Sequence, residues 1–168
     1  CDWSSDVCSS DLFASDQVNA FALPGGHIGM YRGMVEFAEN APQLAAVMAH
    51  EVAHVYADHS NARVSQQLMA QGVLGAVSAL SEMEGTTRKL VLGALGVGYQ
   101  VGVQLPHSRD QEAEADALGL DMMARAGFDP RGAVELWRQM SQRGGERPPE
   151  MLSTHPHPES RVEALRER

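Results

Sequence analysis

His50-Glu51-Val52-Ala53-His54 decides how this chain is read. On a helix, residues four apart stand one above the other, so His50 and His54 can share one metal ion. Glu51 lies beside them without having to be a ligand, which suits a base acting on water. The preceding residues supply the helix. Asn40-Ala41-Pro42-Gln43 reads as its start, with Asn40 as N-cap, Pro42 in the first turn and Gln43 at the capping-box position. Leu44, Val47, Met48, Val52 and Val55 then recur at helical spacing, a stripe that can face a core with His50 and His54 to one side. Two histidines merely decorating a helix flank fit this arrangement less closely than a metal site does.

The chain has 168 residues, enough for one domain with a real core. Hydrophobic residues make up 43% and charged ones 21%, which places it among globular rather than disordered chains. Its net charge of −9 and single lysine, Lys89, argue against nucleic acid as a partner, because phosphate binding needs a basic surface. Both cysteines, Cys1 and Cys8, lie at the N-terminus. A disulfide framework for the core and cysteine ligands for a metal are thereby set aside. No signal peptide or twenty-residue apolar span is visible.

Residues 1–12 read as a foreign or artefactual segment. Trp3-Ser4-Ser5-Asp6-Val7 and Cys8-Ser9-Ser10-Asp11-Leu12 form a near-repeat with no helix or strand period. The rival reading is a lipoprotein start at Cys1.

Asn19-Ala20-Phe21-Ala22-Leu23 alternates and stops at the turn signal Pro24-Gly25-Gly26. His27 to Val35 resumes with Ile28 and Met30 two apart, so two short strands and a tight connection are expected. An edge strand there can pair with an extended substrate along Phe21–Leu23 or Ile28–Met30; an ordinary structural hairpin fits the spacing equally. Leu68 to Val103 is rich in Gly and Ala. Within it, residues 91–98 are apolar nearly all round but too short to cross a bilayer. A buried helix is expected there, with a membrane-surface contact as the alternative. Ser108-Arg109-Asp110-Gln111 has capping-box spacing and opens a helix that ends at Gly127. Asp129-Pro130 starts another, carrying Val134, Leu136, Trp137 and Met140. A loop from Arg147 reaches Ser153-Thr154-His155-Pro156-His157-Pro158, and a short polar helix closes the chain. The fold class is therefore α+β and mainly helical, with a small sheet or hairpin beside the HExxH helix.

A catalytic zinc takes three protein ligands and keeps one position for water. The metzincin pattern would put Gly at 57 and His at 60, whereas this chain has Ala57 and Ser60, so the third ligand comes from elsewhere. Glu112, in Glu112-Ala113-Glu114-Ala115-Asp116, is the best candidate. Asp116, one turn on, can accept the remaining ring N–H of a ligating histidine. On chemistry alone Glu112 and Glu114 are hard to separate.

Three ordered motifs carry a resemblance: Asn19–Gly26, His50–His54, and Ser108-Arg109-Asp110-Gln111-Glu112-Ala113-Glu114-Ala115-Asp116. Over about residues 16–166 the chain resembles the M48 family of zinc metallopeptidases. Within that family it looks most like the bacterial envelope members related to mitochondrial Oma1. The resemblance implies a zincin-like domain over residues 13–168, truncated at its N-terminus, since family members carry a further strand before the Asn-Ala-Phe segment. It implies one zinc per chain held by His50, His54 and Glu112, with Asp116 supporting a ligand and Glu114 left to the surface or an outer position. Thr154-His155-Pro156, with Arg161 beyond, matches a further family feature. It implies that His155 either stabilises the oxyanion or closes the open metal position as a latch. His27, His59, His107 and His157 are left as structural or surface residues. The implied location is the bacterial cell envelope, periplasmic or membrane-associated.

The function expected is hydrolysis of peptide bonds in misfolded or envelope proteins. Glu51 takes a proton from water and delivers one to the leaving amine, and His155 assists at the oxyanion. The main alternative is a latent zinc-bearing binding or chaperone module, with a small-molecule zinc hydrolase behind it. The oligomeric state is not readable from the sequence.

Overall fold

The computed structural model describes residues 10–80, 85–99, 105–142, 151, 155 and 158–166. Residues 1–9, the loop read from Arg147 except Met151 and His155, and the side chain of His107 lie outside the described residues. The chain divides into two compact units, residues 1–60 with 112–168, and residues 61–111.

The first unit opens with a three-stranded sheet: β1 (Ser10–Phe13), β2 (Ala20–Leu23) and β3 (His27–Tyr31), in the order β1-β3-β2. β2 and β3 are antiparallel, from Ala20 opposite Met30 to Leu23 opposite His27. Gly25 and Gly26 both have positive φ, 90° and 84°, which residues with a Cβ rarely adopt, so Pro-Gly-Gly makes the tight connection between them. β1 runs parallel to β3, from Ser10 opposite Ile28 to Phe13 opposite Tyr31. Ser10–Leu12, in the segment without strand periodicity, thus pair through their backbone, which needs no apolar alternation. β3 is flanked on both sides, which removes the Ile28–Met30 edge as a place for a substrate strand. β2 keeps an edge that no other described strand covers.

The extended reading of His27 to Val35 holds only to Tyr31, because α1 (Arg32–Phe37) follows at once. Met34 and Phe37 are buried three apart, so the period has changed from two to helical. α2 (Ala41–Tyr56) starts as its sequence specifies. The Asn40 side chain accepts from the Gln43 backbone N–H at 3.0 Å, and Gln43 Oε1 accepts from the Glu39 backbone N–H at 2.9 Å. Its inward face differs from the expected stripe, however. Gln43, Ala46, Val47, His50, Glu51 and His54 are buried, whereas Leu44, Met48, Val52 and Val55 are only partly covered. Gln43, His50 and His54 go inward because they meet partners there, which offsets the cost of burying them, whereas Glu51 does not.

α5 (Leu105–Arg125) begins ahead of the Ser108 signal, with Pro106 in its first turn, where a missing N–H costs nothing. It ends in a Schellman motif: Phe128 N–H donates to Met123 O at 3.0 Å and Gly127 N–H to Ala124 O at 3.1 Å, with Gly127 at φ 81°. α6 (Arg131–Gln142) buries Leu136, Trp137 and Met140 at helical spacing. α7 (Pro158–Arg166) closes the chain and packs on α6. Ala20, Met30, Met34, Val47, Leu136 and Met140 belong to one core shared by the sheet, α1, α2 and α6. Leu136 is 1% exposed, so Leu136→Ala is expected to cost about 2–5 kcal/mol. Calorimetry should then show a midpoint lower by roughly 4–20 °C for a domain of this size.

α3 (His59–Leu80) leads into the second unit, which holds α4 (Gly85–Tyr99). Tyr99 Oη donates to Gln66 O at 3.1 Å, and Arg63 Nε donates to Gln111 Oε1 at 3.0 Å. The buried helix expected over 91–98 is not found. Leu90, Leu95 and Val97 are exposed, as are Val64, Leu68, Met69 and Val73 on α3. Apolar residues spread around a helix leave no single face to hide, and a Cβ at Gly93, Gly96 or Gly98 would meet open space. The glycines here mark no close helix contact. No described helix is long and apolar enough to cross a membrane.

Candidate metal centre

Four donors converge in the first unit: His50 and His54 from α2, Glu112 from α5, and His155, each 3–4% exposed. α5 reaches them because Gly119 allows it against α2. A Cβ at Gly119 would stand 3.3 Å from the His50 backbone N, closer than side chains normally pack. His50 Nε2 lies 3.0 Å from His54 Nε2, 3.2 Å from His155 Nδ1 and 3.3 Å from Glu112 Oε2. Glu112 Oε1 lies 3.4 Å from His54 Nε2, and Glu112 Oε2 lies 2.8 Å from His155 Nδ1. Donors about 2.0–2.1 Å from one tetrahedral ion stand about 3.4 Å apart, close to these separations. Three imidazoles and a carboxylate are also a donor set that borderline-soft divalent ions favour.

Glu51 provides an independent sign of what the cluster is built around. It is fully buried and neither carboxylate oxygen has a hydrogen-bond partner among the described residues; the His155 ring nitrogen Nε2 lies 3.4 Å from Oε1. An orphaned buried carboxylate is costly and marks a functional group. Counted formally with neutral imidazoles, the buried carboxylates of Glu51 and Glu112 and the mostly covered one of Asp116 stand with one guanidinium among the described residues of the cluster, that of Arg161, which pairs with Glu112 and Asp116. Two negative charges are left over, which a divalent cation balances.

The donor positions are braced from behind. Asp116 Oδ1 lies 3.1 Å from His50 Nδ1, on the ring edge away from the cluster. Arg161, from α7, donates from Nε to Asp116 Oδ2 at 2.7 Å and from Nη1 to Glu112 Oε2 at 3.1 Å. Its guanidinium lies 3.5 Å over the Trp137 ring, which also packs edge-on to His50. Burial favours the neutral acid of Glu112, but hydrogen bonds from His155, His50 and His54 outweigh it and hold its carboxyl far below the usual range. Burial likewise opposes the Asp116 charge, and the bonds with His50 and Arg161 bring its pKa below normal. Burial pushes His54 down to about 3, so it offers a neutral imidazole. Burial and the Arg161 charge also act against a proton on His50. Asp116, Glu112 and Glu51 more than offset them and raise its pKa, so a proton and a metal compete for this ring.

The structure thus brings His50, Glu51, His54, Glu112, Asp116 and His155 together. Glu114 is not one of the converging donors: it is largely exposed, with Oε2 3.3 Å from His59 Nε2. Two residues of this neighbourhood had no assigned role in the sequence reading. Arg161 is marked in the sequence only through the family feature near the C-terminus, and its hydrogen-bond partners in the site lie 45 to 111 residues away. His59, expected to be structural or at the surface, is buried against His54.

The model of peptidase family M48 matches residues 6–168. The chain is 34% identical over 164 residues to a beta-barrel assembly-enhancing protease of Yersinia pestis, covering 94% of this chain and 33% of that protein. It is 33% identical over 151 residues to the mitochondrial metalloendopeptidase OMA1 of Schizosaccharomyces pombe, covering 89% of this chain and 43% of that protein. The bovine mitochondrial metalloendopeptidase OMA1 is 33% identical over 160 residues, 90% of this chain and 30% of that protein. The chain therefore spans about a third of the length of the curated relatives it matches.

Proposed function

The chain belongs to peptidase family M48, and from that premise we propose that it is the catalytic domain of a zinc metalloendopeptidase. The observation that carries the reading is the buried, unpartnered Glu51 carboxylate beside a four-donor cluster. His50, His54 and Glu112 would hold one zinc, which when bound lowers the pKa of water and polarises a scissile carbonyl. Glu51 removes a proton from the attacking water as its oxygen bonds to the carbonyl carbon. As the C–N bond breaks, Glu51 passes that proton to the departing amine. Asp116 and Arg161 keep His50 and Glu112 in place during these transfers. An extended substrate would pair with the β2 edge along Phe21–Leu23, which no other described strand covers. Ser60 Oγ donates to Ala22 O at 3.2 Å, so one carbonyl of that strand is already engaged.

His155 fits the latch better than the oxyanion role, since its Nδ1 lies among the donors. A fourth protein donor would displace reactive water and keep the domain latent. His155→Ala is therefore expected to raise casein cleavage at unchanged zinc content. A fall would assign His155 to the oxyanion instead. No cleavage by either form, at one zinc per chain, would favour a zinc-bearing binding or chaperone module over a peptidase.

Its partners under this reading are protein or peptide substrates, misfolded or envelope proteins among them. The family likeness supports a place in the bacterial cell envelope, periplasmic or membrane-associated. The exposed apolar residues of α3 and α4 support contact with a membrane surface. Flotation with lipid vesicles that is absent, or unchanged when Leu68 and Met69 become Ser, would remove that contact from the proposal. Residues 1–12 are proposed as foreign to the natural protein, against the pairing of Ser10–Leu12 with β3 and a family match that starts at residue 6; sequencing of the natural N-terminus would test this.

A further inference from the structure

Behind His54, on the side away from the donor cluster, lies a second buried imidazole. His59, the first residue of α3, is 4% exposed, with its Nδ1 2.9 Å from His54 Nδ1. Its Nε2 lies 3.3 Å from Glu114 Oε2. The rings meet edge-on, with centroids 4.9 Å apart and planes at 69°. A helix running on past His54 would not give this contact, because five residues carry a side chain about 140° around the axis. The chain instead turns between α2 and α3 at Asp58, whose φ of 56° is left-handed and uncommon outside glycine. That corner returns His59 to His54.

Two ring nitrogens 2.9 Å apart require one proton between them. His54 Nε2 faces His50 Nε2 and Glu112 Oε1, and it must be bare to bind a metal. The neutral ring then carries its proton on Nδ1, directed at His59 Nδ1. His59 must accept there, which leaves its own proton on Nε2, directed at Glu114. Every donor in this chain has one acceptor, and the order runs one way only.

We propose that His59, backed by Glu114, is the positioning residue that fixes the tautomer and ring orientation of His54 for the metal. The two α2 ligands would then be held differently, His50 by the carboxylate of Asp116 and His54 by a neutral imidazole. Outer partners of this kind are worth about 10–100-fold in metal affinity. The inference rests on the reading of His54 as a ligand.

Two measurements on the full chain test it, neither of them an activity. The first is long-range proton–nitrogen correlation of histidine rings in the zinc-loaded wild type. The expected spectrum shows His54 with metal at Nε2 and a proton on Nδ1, and His59 with its proton on Nε2. A metal-bound His54 beside a His59 protonated on Nδ1 overturns the proposal while leaving the ligand assignment intact. A His54 Nε2 without metal overturns the ligand assignment itself, and this inference with it. The second is zinc affinity by chelator competition. His59→Leu, which keeps bulk but no acceptor, is expected to bind about 10–100-fold more weakly. His59→Asn, whose amide oxygen can stand where Nδ1 stood, is expected to recover most of that loss. Leu binding as tightly as wild type, or better than Asn, would mean that His59 only fills space.

Discussion

Glu51→Gln is expected to bind one zinc per chain, fold as the wild type does, and lose peptide cleavage by about 10²–10⁴-fold, the usual worth of a positioned general base. The substitution keeps size and shape while removing the carboxylate proposed to take a proton from water. Metal content should not change, because the reading gives the Glu51 carboxylate no place among the ligands. Stability should hold or rise, since the side chain is fully buried and makes no hydrogen bond that the change could break. Buried, unpaired charge is costly, and removing it relieves that cost. Metal analysis, thermal melting and casein digestion on one preparation check all three parts.

Glu112→Gln should behave in the opposite way and lose metal and cleavage together. An amide is a poor replacement for an ionised carboxylate as a zinc ligand, so affinity should fall by more than the 10–100-fold typical of outer partners. The structure adds a second cost. Glu112 Oε2 accepts from Arg161 Nη1 at 3.1 Å and meets His155 Nδ1 at 2.8 Å, so an amide NH₂ at that position would face donors. Arg161 would keep Asp116 and Trp137 but lose the contact that ties it to the metal ligand. Zinc affinity measured by chelator competition separates this variant from Glu51→Gln, which should bind as the wild type does.

What could be read in advance was what short-range chemistry writes. The start of α2 is spelled by Asn40, Pro42 and Gln43, whose side chains act on neighbours three or four residues away. The β2–β3 hairpin follows from Phe21–Leu23 alternation and the two glycines after Pro24. His50 and His54 are paired by helical spacing alone, whereas Glu112 could be chosen over Glu114 only through the ordered family motif. The misreadings came from longer range. α1 is six residues long with no side-chain cap at Tyr31, so nothing local announces it. Residues 91–98 looked buried because composition reports apolarity, while burial needs a partner surface that Leu95 and Val97 do not find. The inward face of α2 was misjudged for the converse reason: Gln43 and Glu51 are polar, yet the fold encloses them. His59 and Arg161 were passed over because their roles depend on a left-handed corner at Asp58 and on a helix more than a hundred residues from His50.

The most direct test of a zinc peptidase centred on His50, Glu51, His54 and Glu112 is removal and return of the metal in the wild-type chain. Casein cleavage should disappear once zinc is stripped by chelation and dialysis. It should return with one equivalent of zinc per chain, with the helical circular-dichroism signal present throughout. Cleavage that continues at full rate in the stripped chain would contradict the metal-dependent mechanism and the place given to Glu51 within it.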